Sequence, residues 1–296
     1  MNYAAARTSS RRVGRFIASG LVASTLALIV FAHAEFAGPP YGSICLGTVI
    51  VDTSGSLPYK LDFGKFNVVI QSGVTLDSGV NSAVKLITGC DFTLEPGAAI
   101  VADGASGRKI DISVGGNLTL NGTLSSVGTA GNGGKIVLKV GGDVLQSGGI
   151  MNVNGTIGGG KINGVVTGSY FLPSGSITAN GGAMDGGVVD VNVGGVFDNS
   201  AATVTVNGAD DGGRIVLKTS GNFGSTGSLS AVGTGDDGGL MTLTSLGNFF
   251  VDGGTFNALG AGGAPVNDGT INVTLCNGGI GTGVFTPLPT VTDTCP

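Results

Sequence analysis

The chain runs to 296 residues, of which 58 are Gly, 9 Pro, 4 Cys and 1 His, with no Trp and a formal net charge of −5. An acidic chain lacks the basic footprint of a nucleic-acid binder, and abundant Gly without a Gly-X-Y triplet or much Pro excludes collagen. The glycines are spaced between Val/Ile/Leu/Thr-rich runs, a pattern unlike a disordered linker.

Residues 1–34 read as a secretory signal. Arg7, Arg11, Arg12 and Arg15 form a basic start, Phe16 to Phe31 an apolar stretch, and Ala32-His33-Ala34 an A-x-A cleavage site. Cleavage near Ala34 predicts a secreted or cell-surface protein, and no later segment is apolar and long enough to span a bilayer as a helix. The signal holds four of the 14 basic residues and no acid, so the mature chain would carry 10 basic against 19 acidic residues, a net charge of −9. It also holds the only histidine, His33. A Ser-His-Asp triad, a Cys-His pair and a His-ligated zinc site are therefore not expected in the mature protein.

Residues 35–62, with Pro39, Pro40 and Pro58, are expected as an N-terminal cap. Beyond it a repeat of about 26 residues runs to residue 275. Glycine marks the period in three ladders: Gly107, Gly134, Gly160, Gly187, Gly213, Gly239 and Gly269; then Gly116, Gly142, Gly168, Gly195, Gly221 and Gly247; then Gly128, Gly155, Gly181, Gly208, Gly233 and Gly260. Each repeat carries three short runs of strand type. In the first, alternation turns Ile136/Leu138 and Ile215/Leu217 inward. In the middle run, Leu118, Val144, Tyr170, Phe197, Phe223 and Phe249 line up as a stack. In the third, Leu124, Met151, Ile177, Val204, Leu229 and Phe256 are inward, while Ser125, Asn152, Thr178, Thr205, Ser230 and Asn257 face water.

Three strands and three turns at one period predict an all-β chain: a single right-handed parallel β-helix of about eight coils with capped ends. Glycine suits its corners because they need positive φ or close approach between coils. Residues 276–296, with Pro287 and Pro289, are expected as the C-terminal cap. Cys45, Cys90, Cys276 and Cys295 make an even count in an exported chain, so disulfides are expected. Four cysteines permit three pairings; positions at the two ends of the array favour Cys45–Cys90 and Cys276–Cys295.

Segments such as Gly133-Gly134-Lys135-Ile136-Val137-Leu138, followed by Gly142-Asp143-Val144, resemble the repeats of right-handed parallel β-helix proteins of bacterial surfaces, the adhesin and haemagglutinin-like passenger type. The likeness covers residues 63–275. It implies secretion and surface binding. The chain departs from that type in lacking a C-terminal barrel and a sorting motif.

Three sets of residues are candidates for chemistry. Asp185, Asp211 and Asp237 hold one turn position in successive coils, with Asn132 and Asn267 at equivalent places. Acids stacked at about 4.8 Å either stay solvated or take up a cation, and calcium is the candidate metal; Asp and Asn before Gly are also ordinary turn residues. Lys109, Lys135 and Lys161 stack on the outer face of the first strand, as candidate contacts for an acidic glycan or as a solvated face that resists lateral aggregation. Asp111, Asp190, Arg214 and Lys218 are the parts available to a polysaccharide lyase, but Asp111 and Asp190 fall three coils apart, about 14 Å. Asn117, Asp143, Asn222 and Asn248 follow the second Gly ladder and are expected to hydrogen-bond along their stack.

The expected function is a secreted, non-enzymatic β-solenoid with an adhesive or structural extracellular role, binding a surface partner such as a polysaccharide and needing no cofactor. The alternative is an extracellular polysaccharide lyase, for which a groove flanked by long loops is expected; the one longer interval lies at Gly260 to Asp268.

Overall fold

The computed structural model describes residues 31–33, 44–79, 83–261 and 268–293. Among these there is no α-helix, and the chain winds as a parallel β-solenoid of about eight turns. Each regular turn contributes a six-residue long strand, a short middle strand and a three-residue third strand. In one turn these are Lys109–Val114, Leu118–Leu120 and Thr123–Ser125; in the next, Lys135–Val140, Val144–Gln146 and Ile150–Asn152.

Pairing is in register from rung to rung. Lys109 pairs with Lys135, Lys135 with Lys161, Lys161 with Val188 and Val188 with Arg214. The third strands form a ten-stranded sheet of their own. The long and middle strands merge into one sheet because Leu240–Val251 and Thr270–Gly278 each run through the corner without a break. Parallel pairing extends into both segments expected as caps, from Thr48–Val51 at one end to Thr290–Asp293 at the other.

The period-2 alternation of the sequence appears directly as burial. Ile136, Leu138, Ile215 and Leu217 are buried, as are all six expected inward residues of the third strands from Leu124 to Phe256. They fill a single core along the axis. Within it Phe197 stacks on Phe223 with ring centroids 5.4 Å apart, and Phe223 on Phe249 at 4.7 Å; Tyr170 meets Phe197 edge-on at 5.6 Å. Such pairs add about 0.5–1.5 kcal/mol each beyond the area they bury.

The ladder glycines owe their place to close approach. Neither Gly142 nor Gly168 has positive φ; a Cβ on Gly142 would collide with Oδ1 of Asn117, and one on Gly168 with Oδ1 of Asp143. Positive φ occurs elsewhere, at turns between middle and third strands such as Gly148 (φ 75°) and Gly253 (φ 75°). The expectation of positive φ or close approach thus divides between two sets of glycines.

At the N-terminal end a disulfide joins Cys45 to Cys90. Cys276 is also disulfide-bonded, and Cys295 lies outside the described residues. The backbone of Phe31–His33 pairs antiparallel with Thr48–Ile50, the one antiparallel pairing among the described residues. The rest of the expected signal segment, Asn267 and most of the Gly260–Asp268 interval lie outside them.

Candidate functional site

The outer surface of a solenoid is a set of rows, each made of one strand position repeated on successive rungs. Candidate residues are therefore defined by row and rung.

Lys109, Lys135 and Lys161 occupy one row on three adjacent rungs, as their spacing predicts. All three are half-buried. Nζ of Lys109 lies 2.6 Å from Oδ2 of Asp111 on the same strand, so the first lysine of the row is neutralised locally. The row continues as Val188 and then Arg214, whose guanidinium is 3.9 Å from Asp190. Ion pairs this exposed contribute about 0–1 kcal/mol. Asp111 and Asp190 share the adjacent row, separated by Val137 and Asn163. The structure does not bring them together.

Asp185, Asp211 and Asp237 line a shallow, open depression of about 390 Å³ together with Arg214 and the glycines of three successive corners. The Asp237 N–H donates to Oδ1 of Asp211 at 3.0 Å, in the same way that Gly158 N–H donates to Asn132. The carboxylates that converge are a different trio. Ligand oxygens of Asp210, Asp211 and Asp236 lie within 4.8 Å of one another, and only Asp211 belongs to both sets. Within the trio, the main-chain carbonyl of Asp211 accepts the Gly186 N–H and that of Asp210 accepts the N–H groups of Gly235 and Asp236. The trio therefore offers mainly carboxylate oxygens, against the six to eight oxygen ligands calcium takes.

The second Gly ladder carries the polar stack that the sequence suggests. Asn117 N–H donates to Asp91, Asp143 N–H to Asn117, Ser169 N–H to Asp143, and Asn248 N–H to Asn222, at 2.7–2.9 Å. Each side chain caps the backbone of the next rung, and the glycine beside it makes room for the accepting oxygen. A second ladder of this kind is not anticipated. Oδ1 of Asp103 accepts from Val127 N–H, Asn154 from Asn180 and Asn180 from Asn207. Its signal was the residue before each third-ladder Gly, obscured because Val127 and Val232 interrupt the Asp and Asn.

The outward residues of the third strands, expected to face water, are half-buried, and several are tied into that second ladder: Ser125 donates to Asp103, Thr205 accepts from Asn180 and Ser230 donates to Asn207. From Ala99 to Thr286 neither outward row of this sheet carries a charge. A flat, uncharged surface of hydroxyls, amides and a few apolar groups results.

The middle strands present a different outer row, also unanticipated. Thr119, Leu145, Phe171, Asp198, Gly224 and Phe250 follow one another in register. The positions of Phe171 and Phe250, out of phase with the buried aromatic stack, were the available signal. No protein-family model, curated protein or solved structure matches the chain.

Proposed function

We propose that the protein is a secreted, non-enzymatic β-solenoid that works as an adhesive or structural element at a bacterial cell surface, in the manner of adhesin and haemagglutinin-like repeats, and binds an extracellular polysaccharide. The observation that carries this reading is the third-strand sheet. Rows such as Ser176/Thr178, Thr203/Thr205 and Ser228/Ser230 repeat in register on a face without charges. Hydroxyl and amide groups at one rung spacing suit many weak hydrogen bonds to a repeating polymer, with affinity gained by multiplicity. The candidate catalytic groups support the same reading, since Asp111 and Asp190 stand three rungs apart.

The test is a binding screen of the secreted protein against immobilised glycans, run beside a lyase assay on acidic polysaccharides that follows release of unsaturated sugar. Retention on glycan without turnover is the expected result. Turnover at a steady rate would replace this function with the lyase.

A further inference from the structure

We infer that the outer row of the middle strands, from Phe171 through Asp198 and Gly224 to Phe250, is a subsite for a neutral glycan chain running along the solenoid axis. The inference rests on the glycan-binding reading above and gives it a location on a different face.

Register places the four residues on consecutive rungs, so the two rings stand about 14 Å apart at the usual interstrand spacing. Both rings are open to solvent, Phe171 with 37% and Phe250 with 56% of its surface exposed, and Leu145 extends the row at 42%. Their chain neighbours Tyr170 and Phe249 are buried, so the core is complete without them.

Gly224 is the most specific feature. At the ladder glycines a Cβ would strike backbone or a capping oxygen, whereas at Gly224 its nearest neighbour would be Oδ1 of Asp198 at 3.4 Å, an ordinary contact. Packing does not demand glycine here. A glycine inside a strand sacrifices stability, and where packing does not require it, close approach of another group to the backbone is one of the reasons for its presence. The result is a gap one rung wide between a carboxylate and an exposed ring. Asp198 accepts the Ser200 hydroxyl through Oδ1 at 3.1 Å, which leaves its second oxygen for another donor.

The chemistry of the row selects its occupant. Its only charge is an acid on a chain of net charge −5, which disfavours nucleic acid, anionic lipid and acidic polysaccharide. Its apolar groups are split by the acid and the gap, unlike the continuous apolar patch that marks a protein or membrane contact. A neutral glycan offers both required surfaces in alternation: C–H faces for the electron-rich faces of aromatic rings and hydroxyls that donate to a carboxylate.

The experiment measures depletion of the secreted protein by insoluble cellulose, chitin, xylan and β-1,3-glucan, with polygalacturonate as the acidic comparison. Variants are Phe171→Ala, Phe250→Ala and Gly224→Val, the last filling the gap with a residue suited to strands; Thr203→Val/Thr205→Val alters the uncharged face instead. Thermal melts confirm that each variant folds. Expected is retention on at least one neutral polymer, weakened about tenfold by loss of either ring and at least as much by Gly224→Val. Retention unchanged in all three variants but lost in the Thr203/Thr205 pair overturns the subsite and leaves the glycan-binding function standing. Retention only on polygalacturonate also overturns it, as does a change of sedimentation in the Phe variants without any glycan binding, which would assign the row to a second copy of the chain.

Discussion

Inside the solenoid, the hydroxyl of Tyr170 donates to Oε1 of Gln146 on the preceding rung at 2.6 Å, while the Gln146 amide donates to the carbonyls of Gly149 and Ser176. Both side chains are fully buried. Removing the hydroxyl in Tyr170→Phe leaves a buried acceptor unpaired, a loss of about 1–3 kcal/mol. Adding Gln146→Leu restores part of it, since Leu120 and Leu172 fill the same inward position on the flanking rungs. Chemical denaturation of the single and double variants measures both; a double variant weaker than the single would show that the Gln146 amide bonds matter more than its acceptor.

The same hydroxyl gives a pH dependence. Burial pushes the Tyr170 pKa upward, because the phenolate is the form penalised away from water. A folded-state pKa above the unfolded one means that the contribution is complete below about pH 10, the unfolded value, and declines as pH rises from there. Unfolding free energy is therefore expected to fall between about pH 10 and pH 12, with a shallower slope in Tyr170→Phe. Equal slopes in the two proteins would assign the alkaline loss to other groups.

Two rungs further along, the core is less well satisfied. Oδ1 of Asn199 accepts the Ala202 N–H, but its Nδ2 has no partner, and neither has the Ser225 hydroxyl at the paired position on the next rung. A buried hydroxyl without a partner is destabilising, so Ser225→Ala is expected to stabilise the protein by about 1 kcal/mol. A loss on substitution would reveal a water bridging the two groups, observable directly in a high-resolution crystal structure.

The glycines divide by what a methyl group would meet. At Gly186 a Cβ would collide with the Val206 carbonyl oxygen and lie 2.5 Å from Gly213 N, both backbone atoms that cannot yield. Gly186→Ala is expected to lose about 3 kcal/mol or more. Gly224→Ala meets no such obstacle and is expected to gain about 0.4–1 kcal/mol from reduced freedom of the unfolded chain. Melting curves of the pair test the division, and equal losses at both sites would contradict it.

This division also explains what was legible in the sequence. The ladders could be read because a corner whose Cβ space is taken by the next rung admits only glycine, and the restriction recurs at every turn. The alternating core was legible for a similar reason, since each inward position faces its own copies. The convergence of Asp210 and Asp236 on Asp211 was not legible. Asp210 and Asp236 share one turn position, 26 residues apart, but which carboxylates at a corner turn toward one another depends on how the corner folds rather than on the period. The exposed Phe171 and Phe250 were hidden by composition, because aromatic residues near a buried aromatic file look like part of it.

The convergence of the three acids yields a final prediction. Two unit charges 4 Å apart interact by about 1 kcal/mol in water, and ionic strength near 0.15 M screens over about 8 Å. Asp210 and Asp236 are exposed and Asp211 is half-buried, so their repulsion is expected to be modest and sensitive to salt. Asp236→Asn should raise the melting temperature in dilute buffer, and the gain should shrink as sodium chloride is added. Calcium chloride at the same ionic strength should close the gap to the same extent. The main-chain carbonyls of Asp210 and Asp211 already accept rung hydrogen bonds, leaving the carboxylates as the main donors. A much steeper effect of calcium on the wild type than on Asp236→Asn would instead establish Asp211 and its neighbours as ligands, with the site formed by Asp210 and Asp236 rather than by Asp185 and Asp237.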